Sequence, residues 1–232
     1  LKNPPTDLSA LNKNDSLDVK NSKYILNAVK RENLQRNIII EGLKSALPDD
    51  LIIISDVDEI PNLENNNIKE IKNKIILFKQ NFFYYRFNLK LDNFSWYGSK
   101  ACRKINLISP QWLRNVKDKI YPIWRIDTLF SNKKYQNIKI INDGGWHFSN
   151  IKTPANIEKK MKTYLHHREY DLNPLGEKKI SEIINEKKPI YNLKNDMRSN
   201  KFDLSEKLIV TDISELPYYI QNNTDKYKNW LN

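Results

Sequence analysis

The stretch PDDLIIISDVDEIPN, residues 48–62, sets the reading of the whole chain. Leu51 to Ser55 opens as an unbroken apolar run rich in β-branched isoleucine, bounded by Pro48-Asp49-Asp50 before it and by Pro61 after it. A run this short, with breakers on both sides, predicts a strand covered on both faces, as in a parallel sheet. Three carboxylates follow within four positions: Asp56, Asp58 and Glu59. A buried strand gains no stability from an acidic tip, and carboxylates crowded at one turn repel each other unless a cation relieves them. In an open α/β sheet, ligands bind beyond the carboxyl ends of the strands, which is where these acids fall. Hard oxygen ligands suit Mg²⁺ or Mn²⁺, cations that also take phosphate oxygens and keep some water. A cation gripping a diphosphate is one reading. The other is an acidic turn that caps a following helix, because carboxylates favour helix N-termini.

Upstream, Ile25, Val29, Leu34, Ile38 and Leu43 recur at helical spacings, predicting a helix from about Ser22 to Leu47 with Pro48 as its stop. Residues 1–22 are polar, contain Pro4-Pro5, and read as a tail or loop, leaving 23–232 as a single domain. Downstream, the pattern predicts a helix from Leu63 to about Lys74 and a strand-like aromatic segment from Ile75 to Leu91. Further strands are expected at Lys100 to Ile108 and at Ile138 to Ile141. GGWHFS, residues 144–149, reads as a turn into a strand. Pro154 then opens an amphipathic helix to about His167, with Ile157, Met161 and Leu165 on one face. A helix over Glu177 to Asn185 and a packed helical tail fill out a C-terminal segment, about 170–232. Strands alternating with helices predict an α/β fold with a mostly parallel central sheet flanked by helices.

Composition narrows the function classes. Lys and Arg number 39 against 28 Asp and Glu, and the net charge of +11 favours nucleotide phosphates, nucleic acid or anionic lipid as partners. Coding bias alone also yields Lys-, Asn- and Ile-rich chains. Only 5 glycines are present and no Gly-rich phosphate loop occurs. The single cysteine, Cys102, allows no intrachain disulfide and reads as a small buried hydrophobe. No apolar run approaches the roughly 18 residues of a membrane span.

Four blocks carry a resemblance: QRNIIIEGLKSALPDDLIIISDVDEIPN (35–62), WYGSKACRKINL (96–107), DGGWHFSNI (143–151) and KMKTYLHHRE (160–169). In this order they resemble glycosyltransferase family 17, the β-1,4-mannosyl-glycoprotein 4-β-N-acetylglucosaminyltransferases and their bacterial and viral relatives. The resemblance implies a GT-A-like nucleotide-sugar fold, UDP-N-acetylglucosamine (UDP-GlcNAc) as donor, a divalent cation, and inversion at the anomeric carbon. It also implies an opening strand beside the nucleotide that nothing here matches, so the expectation is a chain lacking that wall. A saccharide acceptor, glycan or lipid-linked, follows from the same resemblance. So does a cytoplasmic, membrane-peripheral location for a bacterial or viral type, or the Golgi lumen for a eukaryotic one. The oligomeric state is not legible in the sequence.

Inverting transfer needs a neutralised diphosphate, a base for the acceptor hydroxyl, and a held sugar. By analogy with Asp-x-Asp transferases, Asp58 is the metal ligand and Asp56 reaches the ribose or a metal-bound water. Glu59 either stands behind them or caps the following helix. His147 is either a metal or phosphate ligand or a core histidine. Asp143 and Glu169 compete as the base. Glu169 follows His166 by three positions on one helix face, where the two also make sense as a structural pair. Arg36 and Asn37 either line the nucleotide pocket or form a solvated helix face. Arg103 and Arg114 are candidates for pairing with the diphosphate, with surface charge the plainer reading for Arg114. Trp96, Tyr97 and Trp146 are sugar platforms or packing.

Two other classes compete. The run KQNFFYYRFNLK, residues 79–90, with the basic charge, would suit a single-strand nucleic-acid surface, though its aromatics read better as a buried strand. The other is a catalytically inert relative that binds a glycan or a partner.

Overall fold

The computed structural model describes residues 4–64, 67–122, 124–163, 170, 174–190 and 206–232. It is an α/β structure with two mixed sheets. The first contains β1 (Leu51–Ile54), β3 (Ile75–Phe78), β6 (Lys100–Arg103) and β7 (Ile138–Ile141), in the order β1-β6-β3-β7. The second contains β2 (Glu59–Pro61), β4 (Gln80–Tyr84), β5 (Leu89–Trp96), β8 (Gly145–Ser149) and β9 (Leu208–Val210), in the order β2-β8-β4-β5-β9. The expected mostly parallel sheet is corrected here: among the described residues only β3–β7 and β4–β8 run parallel. The strand β1 is an edge strand, antiparallel to β6. An apolar run reports burial of a strand, not the direction of its neighbour.

Four of the five steps from one sheet to the other among the described strands take only a few residues: β1 to β2, β3 to β4, β5 to β6 and β7 to β8. The acidic turn is the first of these steps. The last needs its glycines. A Cβ on Gly144 would lie 2.7 Å from the Lys79 backbone N, and one on Gly145, at φ +122°, would lie 2.0 Å from the Ile60 carbonyl. Backbone meets backbone there, which only glycine permits. At the junction Ser55 and Ser99 share a hydrogen bond of 2.7 Å, and Gln80 donates to Ser99 Oγ at 3.1 Å.

Both sheets are packed on both faces. Ile52, Ile54, Ile75, Leu77 and Cys102 pack against α2 (Pro110–Asn115) through Trp112 and Leu113. Ile76, Phe78 and Ile141 are covered on the other face by Ile68. Burial raises the Cys102 thiol to about 11, in keeping with a small interior hydrophobe. In the second sheet Phe82, Tyr84 and Leu91 pack on α3 (Pro154–Met161) and α4 (Gly176–Asn185) through Ile157, Met161, Ile180 and Ile183. Phe83 and Phe148 are sealed by Leu216 and Ile220 of the C-terminal segment. The aromatics Phe82 to Tyr85 are therefore interior, so this run offers no exposed stacking face.

Two predicted helices shift. The first, α1 (Leu17–Asn37), starts five residues before the predicted Ser22, because the Ser16 side chain caps it by accepting from Val19 N and Asp18 sits in its first turn. Residues before it fold back on it: Ser9 N donates to Asn27 Oδ1 and Asn27 Nδ2 to Ser9 O, both at 2.8 Å. It ends at Asn37 and continues as a 3₁₀ turn, Ile38–Leu43. The helix expected over Leu63 to Lys74 is, among the described residues, only a 3₁₀ turn at Ile68–Glu70. His166, His167 and Glu169 lie outside the described residues.

Candidate functional site

The acidic turn is closed by its own ends. Asp56 N donates to Glu59 Oε2 at 2.9 Å, and Glu59 N donates to Asp56 O at 3.0 Å. Glu59 thus caps no helix. It opens β2 opposite His147 and turns its carboxylate inward, where the side chain is fully buried. Burying a carboxylate is costly unless it is paired and hydrogen-bonded. Here Trp96 Nε1 donates to Oε1 at 2.7 Å, and Arg114 donates at 2.8 and 3.1 Å. Arg114 also donates to the Gly98 carbonyl and, at 2.7 Å, to Asp56 Oδ2. Gly98 is obligatory beneath this network, since a Cβ there would lie 1.7 Å from Glu59 Oε1.

Arg36, on α1, reaches the other oxygen, Asp56 Oδ1, at 3.3 Å and also donates to Gln111 of α2. Asn37 Oδ1 accepts from Gln111 N at 3.1 Å. Arg36 and Asn37 therefore dock α1 onto α2 and hold the turn. Asp56, expected at the ribose or a metal-bound water, has both carboxylate oxygens in the grip of arginines.

Asp58 is different. Among the described residues its carboxylate accepts no hydrogen bond and pairs with no arginine, while its backbone carbonyl is fixed by Phe148 N at 2.8 Å. Its Oδ2 faces His147 Nε2 across 4.0 Å, and His147 Nδ1 lies 3.9 Å from Glu59 Oε1. Both gaps exceed hydrogen-bonding distance, and Nδ1 is buried with no partner among the described residues. The imidazole is oriented by stacking on Phe82, 4.5 Å between centroids at 20°, and by Trp96 at 5.0 Å. Burial draws its pKa below the ordinary value, with Asp58 and Glu59 pulling the other way. The result is an imidazole whose neutral form burial favours, facing a carboxylate across 4.0 Å.

Lys160 of α3, inside the fourth sequence block but given no role from the sequence, also belongs here. It is held by Asn150 Oδ1 at 2.8 Å, lies within electrostatic reach of Asp58, and has its pKa lowered by burial.

A comparison with protein-family models matches residues 10–232 to glycosyltransferase family 17. The chain belongs to this family. No curated protein and no solved structure matches it. Membership makes it a glycosyltransferase by family, and implies binding of a nucleotide sugar and an acceptor.

The remaining predicted residues of this family 17 chain fall elsewhere. Arg103 lies at the far end of β6, opposite Leu51, and donates to the carbonyls of Asp49 and Lys69. It braces loops and does not meet the acidic turn. Arg114 does, although its guanidinium is spent on protein acceptors. Asp143, at φ +48°, precedes β8 next to Asn62, whose Nδ2 donates to its carbonyl at 3.4 Å. It lines a cleft of about 360 Å³ with Asn81, Trp146, Glu215 and Tyr218. Strand alternation turns Trp146 away from the face that His147 presents, and Asp143 lines the cleft on the Trp146 side. Trp146 is half-buried and donates to the Glu215 carbonyl at 2.6 Å.

A second cleft, about 480 Å³, is lined by Trp96, Tyr97, Lys100, Arg114 and Asp118. Lys100, the first residue of β6, is buried. Its Nζ donates to the carbonyls of Arg114, at 2.8 Å, and Val116, and burial, aided by the Arg114 charge, brings its pKa down from 10.5 to about 8. With the folded value below the unfolded one, the unfolded chain binds more protons between these two pH values, so this residue's contribution to stability rises with pH there. Denaturant melts of wild type and Lys100→Met across pH 7 to 10.5 should show the wild type gaining on the variant by up to about 3 kcal/mol. Parallel pH profiles would contradict a charge confined in this cleft.

Proposed function

We propose that the chain is a metal-dependent, inverting transferase with a GT-A-like nucleotide-sugar fold. It moves N-acetylglucosamine from UDP-GlcNAc to a saccharide hydroxyl, in β-1,4 linkage to mannose by family resemblance. The observation that carries the cation is the facing pair Asp58 Oδ2 and His147 Nε2, 4.0 Å apart. A carboxylate oxygen and an imidazole nitrogen facing each other are the kinds of group that would hold a Mn²⁺-class cation. No group of three His, Cys, Asp or Glu among the described residues could hold a metal ion. Among the described residues Asp58 and His147 would be the ligands, with diphosphate and water completing the set, the usual habit of Mg²⁺-type sites. When bound, the cation supplies positive charge to the departing diphosphate.

The chain's own residues do the rest. Asp58 and His147 hold the cation, and Phe82 keeps the imidazole plane fixed. Lys160 offers an ammonium to the phosphate oxygens. Asp56 and Glu59 hold Arg36 and Arg114, and so keep the turn in one shape. The proton acceptor is proposed from Asp143 and Glu169. Of these, Asp143 lines the cleft beside Trp146 and Glu215.

Calorimetric titration with UDP-GlcNAc should give a binding isotherm with Mn²⁺ that vanishes when a chelator is added. An isotherm unchanged by chelator would remove the metal from the proposal. Binding of another nucleotide sugar in place of UDP-GlcNAc would remove the donor.

A further inference from the structure

No helix among the described residues is long and apolar enough to cross a membrane. The segment between α2 and β7 is nevertheless built inside out. Within it, Ile120, Trp124, Ile126, Leu129 and Phe130 are 52, 79, 68, 76 and 88 % exposed. Isolated apolar residues on a surface are ordinary, but a contiguous set this large marks an interaction site.

The loop is well tied. Lys117 N donates to Lys133 O at 2.7 Å and closes its ends. Trp112 Nε1 donates to Asn132 O at 2.6 Å, and Gln136 Nε2 to Thr128 Oγ1 at 2.9 Å. Arg125 forks onto Asp127 at 2.6 and 2.9 Å. Tyr121 is turned inward, with the charges of Lys119, Arg125 and Lys134 each within 5.9 Å of its ring centroid. Polar groups are thus paired within a closed loop, and the large apolar side chains point out.

The charge around the patch selects its occupant. Residues 117–134 hold five Lys or Arg against Asp118 and Asp127, an excess of three positive charges. An exposed Trp and Phe among aliphatics, in a loop of net positive charge, match the interfacial layer of an anionic bilayer: rings at headgroup depth, cationic groups near phosphates. We propose that the loop closed by Lys117 and Lys133 docks this chain on an anionic membrane surface, with Trp124, Leu129 and Phe130 inserted. The loop springs from α2, which carries Arg114, so docking would hold the cleft of Lys100 and Arg114 near the headgroups. The inference does not depend on the donor or the cation.

The test is sedimentation with phosphatidylcholine vesicles, with and without about 30 % phosphatidylglycerol, at low and high salt. The chain is expected to bind only the anionic vesicles, and less as salt rises. Trp124→Ser/Phe130→Ser should lower the partition at least about tenfold. Lys133→Gln should lower it about fivefold. All these side chains are on the surface, and matching thermal melts of the variants would confirm intact folds. Failure to bind anionic vesicles, or equal binding by the double variant, would overturn the proposal. So would a dimer in solution that the same double variant dissolves, since the patch would then be covered by a second copy.

Discussion

Asp58→Ala should abolish Mn²⁺-dependent binding of UDP-GlcNAc and lower transferase activity by about 10²–10³-fold, the scale on which one charge-stabilising group acts on a transition state. It should leave the fold almost untouched. The Asp58 side chain is 36 % exposed and makes no hydrogen bond among the described residues, so its loss creates no cavity and strands no partner. Surface substitutions of this kind change stability by no more than about 0.5 kcal/mol. The comparison that gives the experiment its force is Asp56→Ala, two positions earlier. Asp56 carries Arg36 and Arg114 on its two oxygens, and both guanidiniums are nearly buried. Removing it leaves two cations without their shared anion and should cost more stability than Asp58→Ala does. Thermal melts and Mn²⁺ titrations of both variants check the contrast. An Asp58→Ala protein that unfolds, or that binds UDP-GlcNAc as well as wild type does, would end the assignment.

The sequence was most informative where the signal is local. The apolar run of β1, the Pro154 helix start and the Cys102 burial all depend on nearest neighbours, and each lies where its pattern placed it, whereas the single strand-like segment expected over Ile75 to Leu91 is β3, β4 and the start of β5, divided between the two sheets. Strand direction is not local, and one error there propagated into the site. In a parallel sheet, the end of β6 would share the acidic end of β1, and Arg103 would sit beside Asp56. The antiparallel register pairs Ile54 with Lys100 and Leu51 with Arg103, so the lysine comes to the acidic end and the arginine leaves it. The role of Arg114, a candidate for the diphosphate in the sequence, is hidden there for a related reason. Its partner Glu59 is 55 residues away, and nothing in the spacing of a short helix announces that contact. The turn at GGWHFS is legible in the sequence, and Gly145 takes φ +122° there; the crowding its glycines relieve is not. These glycines are room for crossing backbones, a need created only when two sheets meet.

Glu59→Ala should produce the largest loss of stability of any single substitution in the turn. Glu59 is fully buried and Arg114 has only 11 % of its side chain exposed, so truncating the acid leaves a nearly buried guanidinium with Asp56 as its one remaining counter-ion among the described residues. Breaking a buried pair from one side costs about 3–5 kcal/mol. Against a total of about 5–15 kcal/mol for a whole domain, that is a large fraction, and it should lower the melting temperature by roughly 10 °C. Trp96 Nε1 loses its acceptor in the same step, and the Gly98 backbone loses the wall against which it packs. Arg114→Ala should be comparably damaging, because it leaves the carboxylate as the stranded charge. The double variant Glu59→Ala/Arg114→Met should then be less destabilised than the sum of its parts, since neither charge remains to be desolvated alone. Additive losses would mean that the two groups act independently, which 2.8 Å between opposite charges in a dry junction does not allow. The same comparison separates shape from chemistry. Glu59 pairs with His147 across the strands, so Glu59→Ala should disturb the Asp58–His147 facing pair along with the fold, whereas Asp58→Ala removes the chemistry and leaves the shape.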